Sequence, residues 1–115
     1  MKLPLNTDLT GKVAVVTGAG GVLCSMFSKA LAAAGAKVAV LDLNEAAAEK
    51  VAEGIRQEGG QARAYRCNVL EKVSCEEVHQ AVLKDFGPCD ILINGAGGNN
   101  PRATTDKEYF EPVSD

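Results

Sequence analysis

The chain has 115 residues, 46% of them hydrophobic and 23% charged, with a formal net charge of -3 at pH 7 and a pI near 5.1. This profile fits a single globular domain over residues 1–115 and excludes a disordered or fibrous segment. The acidic balance, with no clustered Lys or Arg, argues against nucleic acid or an anionic membrane as partner.

No segment approaches the ~18 uninterrupted apolar residues of a membrane span, and Met1 to Thr10 hold no apolar run of signal length, so a cytoplasmic protein is expected. Cys24, Cys67, Cys75 and Cys89 show no Cys-x-x-Cys spacing, and the single histidine, His79, is not placed to complete a metal set. Reduced structural thiols and no metal are expected. Cys24 stands apart, because it falls in the first turn of a predicted helix, where the macrodipole can lower a thiol pKa. The alternative is a small residue filling a glycine-sized space.

Lys12 to Thr17 is a short β-branched run bounded by Gly11 and Gly18, as suits a strand buried on both faces. Val22 to Ala34 follows as a helix with Val22, Met26, Phe27, Ala30, Leu31 and Ala34 at helical spacing, stopped by Gly35. Lys37 to Asp42 repeats the strand signature. Asn44 caps a second helix whose apolar stripe is Ala48, Val51, Ala52 and Ile55, ending before Gly59-Gly60. A third strand fits Ala62 to Cys67, and Glu71 to Phe86 forms a third helix with Val78, Val82 and Phe86 on one face. Asp90 to Asn94 is the fourth strand, and Gly95 to Thr105 reads as a glycine-rich loop.

Alternating strands and helices with short connections require a parallel sheet with right-handed crossovers. The expected fold is a Rossmann-type, doubly wound α/β/α sandwich with strand order 3-2-1-4. The first two helices then lie on one face and the third on the other, opening a crevice between the carboxyl ends of strands one and four.

Strand one runs directly into Thr17-Gly-Ala-Gly-Gly-Val-Leu-Cys24 and a helix, the context in which a glycine turn binds a diphosphate. Gly18 permits the tight turn, Gly20 and Gly21 let backbone approach a pyrophosphate, and the amides from Gly20 through Val22 to Leu23 are expected to face it. The spacing departs from G-x-G-x-x-G, since Leu23 stands at its last glycine position. An acid is expected about 20 residues on, to accept from the adenine ribose hydroxyls; Asp42 lies 42 − 18 = 24 residues after Gly18. The plain alternative is a simple turn, with Asp42 as a helix cap. Asp42 would repel a 2′-phosphate, and Leu43 rather than a cation follows it, so NAD is favoured over NADP.

With Asp8 to Gly18, Asp42, Asn68-Val69 and Asn94-Gly-Ala-Gly97 taken together, the whole chain resembles the short-chain dehydrogenase/reductase family. That family's Thr-Gly-x-x-x-Gly-x-Gly motif would place glycines where Val22 and Cys24 stand. Ile-Asn-Gly-Ala-Gly is similar to the Asn-Asn-Ala-Gly of its conventional branch. The resemblance implies an NAD-dependent oxidoreductase moving hydride between nicotinamide and a carbonyl or alcohol, with a small-molecule substrate and a dimer or tetramer. Asn68 and Val69 would flank the adenine, Asn94 and Gly95 would shape the strand-four turn, and Ala96 and Gly97 would line the nicotinamide-ribose side. Asn94 as an ordinary turn former is the alternative.

Gly-Gly-Val-Leu-Cys together with Asn-Gly-Ala-Gly-Gly-Asn-Asn-Pro is similar to members acting on sugar acids such as fructuronate and mannonate. Arg102 could clamp such a carboxylate, or be a solvated loop residue. The Ser and Tyr-x-x-x-Lys of that chemistry do not occur in these 115 residues: Tyr65 and Tyr109 precede valines at i+4, and Lys107 precedes Tyr109. No catalytic residue is therefore assigned, and His79 reads as a surface histidine. Two readings follow: the cofactor-binding part of a longer reductase, incomplete at its carboxyl end, or a non-catalytic NAD-binding or oligomerising module.

Overall fold

A computed structural model describes residues 8–95. In chain order the elements are β1 (Val13–Thr17), α1 (Val22–Ala33), β2 (Lys37–Asp42), α2 (Glu45–Gln57), β3 (Gln61–Arg66), α3 (Lys72–Asp85) and β4 (Ile91–Asn94). The sheet has the order β3-β2-β1-β4, and every pairing is parallel. Each helix is thus a crossover that returns the chain to the amino end of the sheet, as the alternating pattern requires.

Alternation along the strands assigns the two faces. Ala14, Val16, Val38 and Val40 pack with Ala48, Val51, Ala52 and Ile55 under α1 and α2, while Val13, Val15, Ala39 and Leu41 pack with Cys75, Val78 and Val82 under α3. All five residues of β1 are buried. The expected three-layer α/β/α arrangement is the one observed.

Helix α2 uses the expected stripe, and α1 uses only part of it, Ala30 and Leu31 facing inward while Val22, Met26 and Phe27 do not. Cys24, Leu31 and Ala32 of α1 pack against the sheet core, and Ser28 and Ala30 are buried, the Ser28 hydroxyl donating to the carbonyl of Cys24 at 2.8 Å. Val22 is 82%, Met26 47% and Phe27 43% exposed, so the larger apolar residues point away. The inward positions 24, 28, 30 and 32 thus carry small side chains. Hydrophobic spacing alone could not show that bulk was on the wrong side.

The helix ends follow local chemistry. Asn44 Oδ1 accepts from the amide of Ala47, which makes Asn44 the α2 cap. Gly35 has φ +106°, and a Cβ there would lie 2.8 Å from Thr10 Oγ1, so only glycine ends α1 in this way. On the far side, Tyr65 donates to Asp85 at 2.7 Å and Arg63 pairs with Asp85 at 3.1 Å, tying β3 to α3. The Tyr65 hydrogen bond, helped by Arg63, holds the Asp85 carboxyl below its ordinary range.

Two stability outcomes are expected. Ile55→Ala, at a position 2% exposed, should lower the free energy of unfolding by about 2–5 kcal/mol in urea denaturation. For Asp85, a folded pKa below the unfolded value contributes stability above the unfolded pKa and loses it as pH falls through the folded one. The stability gap between wild type and Asp85→Asn should therefore be present at neutral pH and shrink towards about pH 3. A gap independent of pH would assign the effect to packing instead.

Candidate cofactor site

The site lies at the carboxyl ends of β1 and β4, adjacent in the sheet, where the strand order reverses and the crossover helices change face, α1 and α2 packing on one side and α3 on the other. This is the switch point at which doubly wound sheets hold ligands. The turn after β1 is tied to β2 by the Ala19 amide, which donates to the Leu41 carbonyl at 2.9 Å, and is closed by Gly21 N–H donating to the Gly18 carbonyl at 3.1 Å. Gly18 takes φ +67°, which favours glycine.

Gly20 is needed for a reason the spacing did not reveal. Its amide donates to Asp42 Oδ2 at 2.8 Å, and a Cβ on Gly20 would lie 2.8 Å from both that oxygen and Ala47 Cβ. Gly21, the cap of α1, has ordinary room for a Cβ. Of the amides expected to face a diphosphate, those of Gly20 and Gly21 are thus bonded internally. The first-turn N–H groups of Val22, Leu23 and Cys24 remain as the forward-pointing set that helical geometry leaves without intrahelical acceptors.

Asp42 Oδ1 accepts from the amide of Asn44 at 2.9 Å, so each carboxylate oxygen is held by one main-chain N–H. Asp42 is not the α2 cap; Asn44 is. A carboxylate offers roughly four acceptor sites, so both oxygens keep capacity for hydroxyl donors. Leu43 beside it is exposed.

On the other flank, Thr17 Oγ1 donates to Asn94 Oδ1 at 2.8 Å, and the Gly95 amide donates to the Thr17 carbonyl at 3.2 Å. Asn94 thereby ties β4 to β1. A Cβ on Gly95 would lie 2.1 Å from Cys24 Sγ, so the thiol fills the space that glycine leaves. This agrees with Cys24 as a filler and overturns the expectation of a lowered pKa: burial, reinforced by the charge of Asp42, raises it.

Asn68 and Val69 form the β3–α3 connection. Asn68 Oδ1 accepts from the Leu70 amide, its Nδ2 donates to Glu71 Oε1, and its own amide donates to Ser74 Oγ. Its side chain is therefore fixed by its own loop. Val69 packs against the core cluster that includes Cys67 and Cys75, whose sulfurs lie 4.0 Å apart. Burial pushes the Cys67 thiol up to about 12 and raises that of Cys75. His79 lies midway along α3, partly buried and away from the strand ends. Ala96, Gly97, Arg102, Lys107 and Tyr109 fall outside the described residues. Among the described residues no cluster of three His, Cys, Asp or Glu could hold a metal, and no helix is long and apolar enough to cross a membrane. A groove of about 310 Å³ lined by Lys29, Ala32, Ile55, Glu58 and Gly60 lies at the opposite end of the strands, remote from these groups.

A glycine turn feeding a helix N-terminus, with an acid at the end of the next strand, defines the class: a dinucleotide-binding Rossmann unit. The short chain dehydrogenase family matches residues 12–114, and the chain belongs to that family. An uncharacterized oxidoreductase of Haemophilus influenzae is 55% identical over 111 residues, covering 96% of this chain and 39% of the relative. The 7alpha-hydroxysteroid dehydrogenase of Escherichia coli K12 is 39% identical over 110 residues, covering 96% and 41%. Among solved structures, a Haemophilus protein with bound NAD, whose activity as a D-mannonate oxidoreductase is itself an assignment, superposes with a TM-score of 0.79 at 55% identity, covering 96% of this chain and 39% of that one. The chain thus spans about two fifths of the length of these relatives.

The interlock at Gly95 can be tested by a double-mutant cycle. Gly95→Ala alone should destabilise by about 1–3 kcal/mol through overpacking. In a Cys24→Ala background most of that cost should vanish, read as a positive coupling between the two positions in thermal or urea denaturation.

Proposed function

We propose that this chain holds NAD for an oxidoreductase of the short-chain dehydrogenase type, acting on a sugar acid of the fructuronate or mannonate kind. The single observation that carries the cofactor reading is the doubly anchored carboxylate of Asp42, set beside the glycine turn at the carboxyl end of the sheet. The residues fit the group. First-turn amides and the positive end of α1 suit a diphosphate without a side-chain cation, and Asp42 retains acceptor capacity for ribose hydroxyls.

In this reading Gly18, Gly20 and Gly21 shape the turn, and Val22 and Leu23 supply donors. Asp42 and Leu43 meet the adenosine ribose, and Asn68 and Val69 border the adenine. Asn94, Gly95, Ala96 and Gly97 border the nicotinamide ribose, and Arg102 meets a substrate carboxylate. The nicotinamide, when bound, supplies the hydride acceptor or donor. The contribution of these residues is to bind and orient it, with no proton-transfer residue among them. A small-molecule substrate, a homo-oligomer and a cytoplasmic location complete the proposal. The sugar-acid class is supported by the likeness to the NAD-bound Haemophilus structure, and NAD by that structure and by an NAD+-bound xylitol dehydrogenase at TM-score 0.70 and 38% identity.

Calorimetric titration with NADH tests the proposal, beside an absorbance assay of NADH oxidation by fructuronate. Binding is expected, with little or no turnover by these 115 residues alone. Asp42→Ala should weaken NADH about tenfold or more, the cost of losing hydrogen bonds to a charged acceptor. A folded protein that binds no dinucleotide would refute the cofactor assignment.

A further inference from the structure

We infer that Gly20 is a cofactor-specificity residue, because the absence of its side chain holds the Asp42 carboxylate in the position from which it excludes a 2′-phosphate. This rests on the cofactor reading above and extends it from the charge of Asp42 to what aims that charge. A carboxylate at a strand end can rotate about two side-chain bonds, and one that swings away exerts less repulsion at the ribose. Here it is pinned from both sides. Oδ2 accepts from Gly20 N–H at 2.8 Å, Oδ1 from Asn44 N–H at 2.9 Å, and the space facing Oδ2 is open only because residue 20 has no Cβ.

A methyl group at position 20 would lie 2.8 Å from Asp42 Oδ2 and 2.8 Å from Ala47 Cβ. Ala47 is carried on the first turn of α2 and is fixed by the backbone, so the rotatable carboxylate is the partner that gives way. Its retreat breaks the Gly20 hydrogen bond without removing any charge.

A second group makes the retreat consequential. Asp42 on β2 is the register partner of Arg66 on β3, so the two side chains leave the same face of the sheet one strand apart, and Arg66 is exposed. With the carboxylate in place, a 2′-phosphate approaching Arg66 meets the negative charge first. With it displaced, the guanidinium is left as a charged group on the same face able to form a bidentate pair with phosphate. Discrimination is therefore a property of Gly20, Asn44 and Ala47 as well as of Asp42.

The test is a paired titration of the wild type, Gly20→Ala and Gly20→Ala/Arg66→Ala with NAD+ and NADP+, with circular dichroism to establish folding. Gly20→Ala should reduce the NAD+ over NADP+ affinity ratio by about tenfold or more, the scale of one charge-assisted hydrogen bond, and adding Arg66→Ala should remove the gain for NADP+. Where Gly20→Ala folds poorly, Gly20→Ala/Ala47→Gly relieves the fixed contact, leaves only the carboxylate to move and should give the same shift. A variant that loses affinity for both dinucleotides equally, with the ratio unchanged, overturns the inference while leaving the cofactor reading intact. A folded wild type that binds neither dinucleotide overturns both.

Discussion

The end of β1 has no room for side chains, and the site is organised by that exclusion. On one flank the backbone of Gly20 lies against Asp42 and Ala47; on the other, Gly95 lies against Cys24 and the carbonyl of Thr17. Both contacts bring main chain to where a larger residue would force neighbouring strands or helices apart. The parallel sheet makes this possible, because β2 and β4 both pair with β1 and end level with it: Thr17 is the partner of Leu41 on one side and of Asn94 on the other. An acid one residue beyond Leu41 and an amide directly opposite Thr17 are therefore delivered to the two sides of a single turn.

The fold was legible in the sequence because its determinants are local and repeated. Three short apolar runs and a weaker, partly polar third strand, separated by helical segments, leave one economical topology, and the α2 stripe from Ala48 to Ile55 is buried as its spacing predicts. The face of α1 was legible only in part. Periodicity finds Ala30 and Leu31 but weighs Met26 and Phe27 above Ser28 and Ala32, while small residues suit a helix packed against a sheet. A buried serine bonded to the carbonyl four residues back carries no hydrophobic signal at all.

The site was legible as a set of positions and less so as a set of contacts. Gly18 and Asp42 could be picked out from their places in a strand–turn–helix unit. That Gly20 serves Asp42, rather than leaving its amide for a ligand, depends on a contact across 22 positions of sequence. The pairing of Cys24 with Gly95 is similar. Each residue departs from the family's usual motif, and only their proximity shows that one departure accommodates the other. A thiol on the helix occupies what a side chain on the strand-four turn would have filled. Asn68 shows the converse, since its amide is bound within its own loop, so its effect on an adenine would come through the shape of that loop and its spare carbonyl lone pair.

Burial, with the charge of Asp42 adding to it, explains why Cys24 in the first turn of α1 is not an activated thiol. The positive end of α1 favours a thiolate at position 24, but burial against Gly95 disfavours the charged form, and the nearby carboxylate adds repulsion of the same sign. A negative charge fixed at the end of β2 thus disfavours every further anion in the crevice at short range, whether a thiolate on the helix or a 2′-phosphate on a ribose. In the proposed reading a diphosphate would escape this at the first-turn amides of α1, which separates the part of the turn suited to an anion from the part that rejects one.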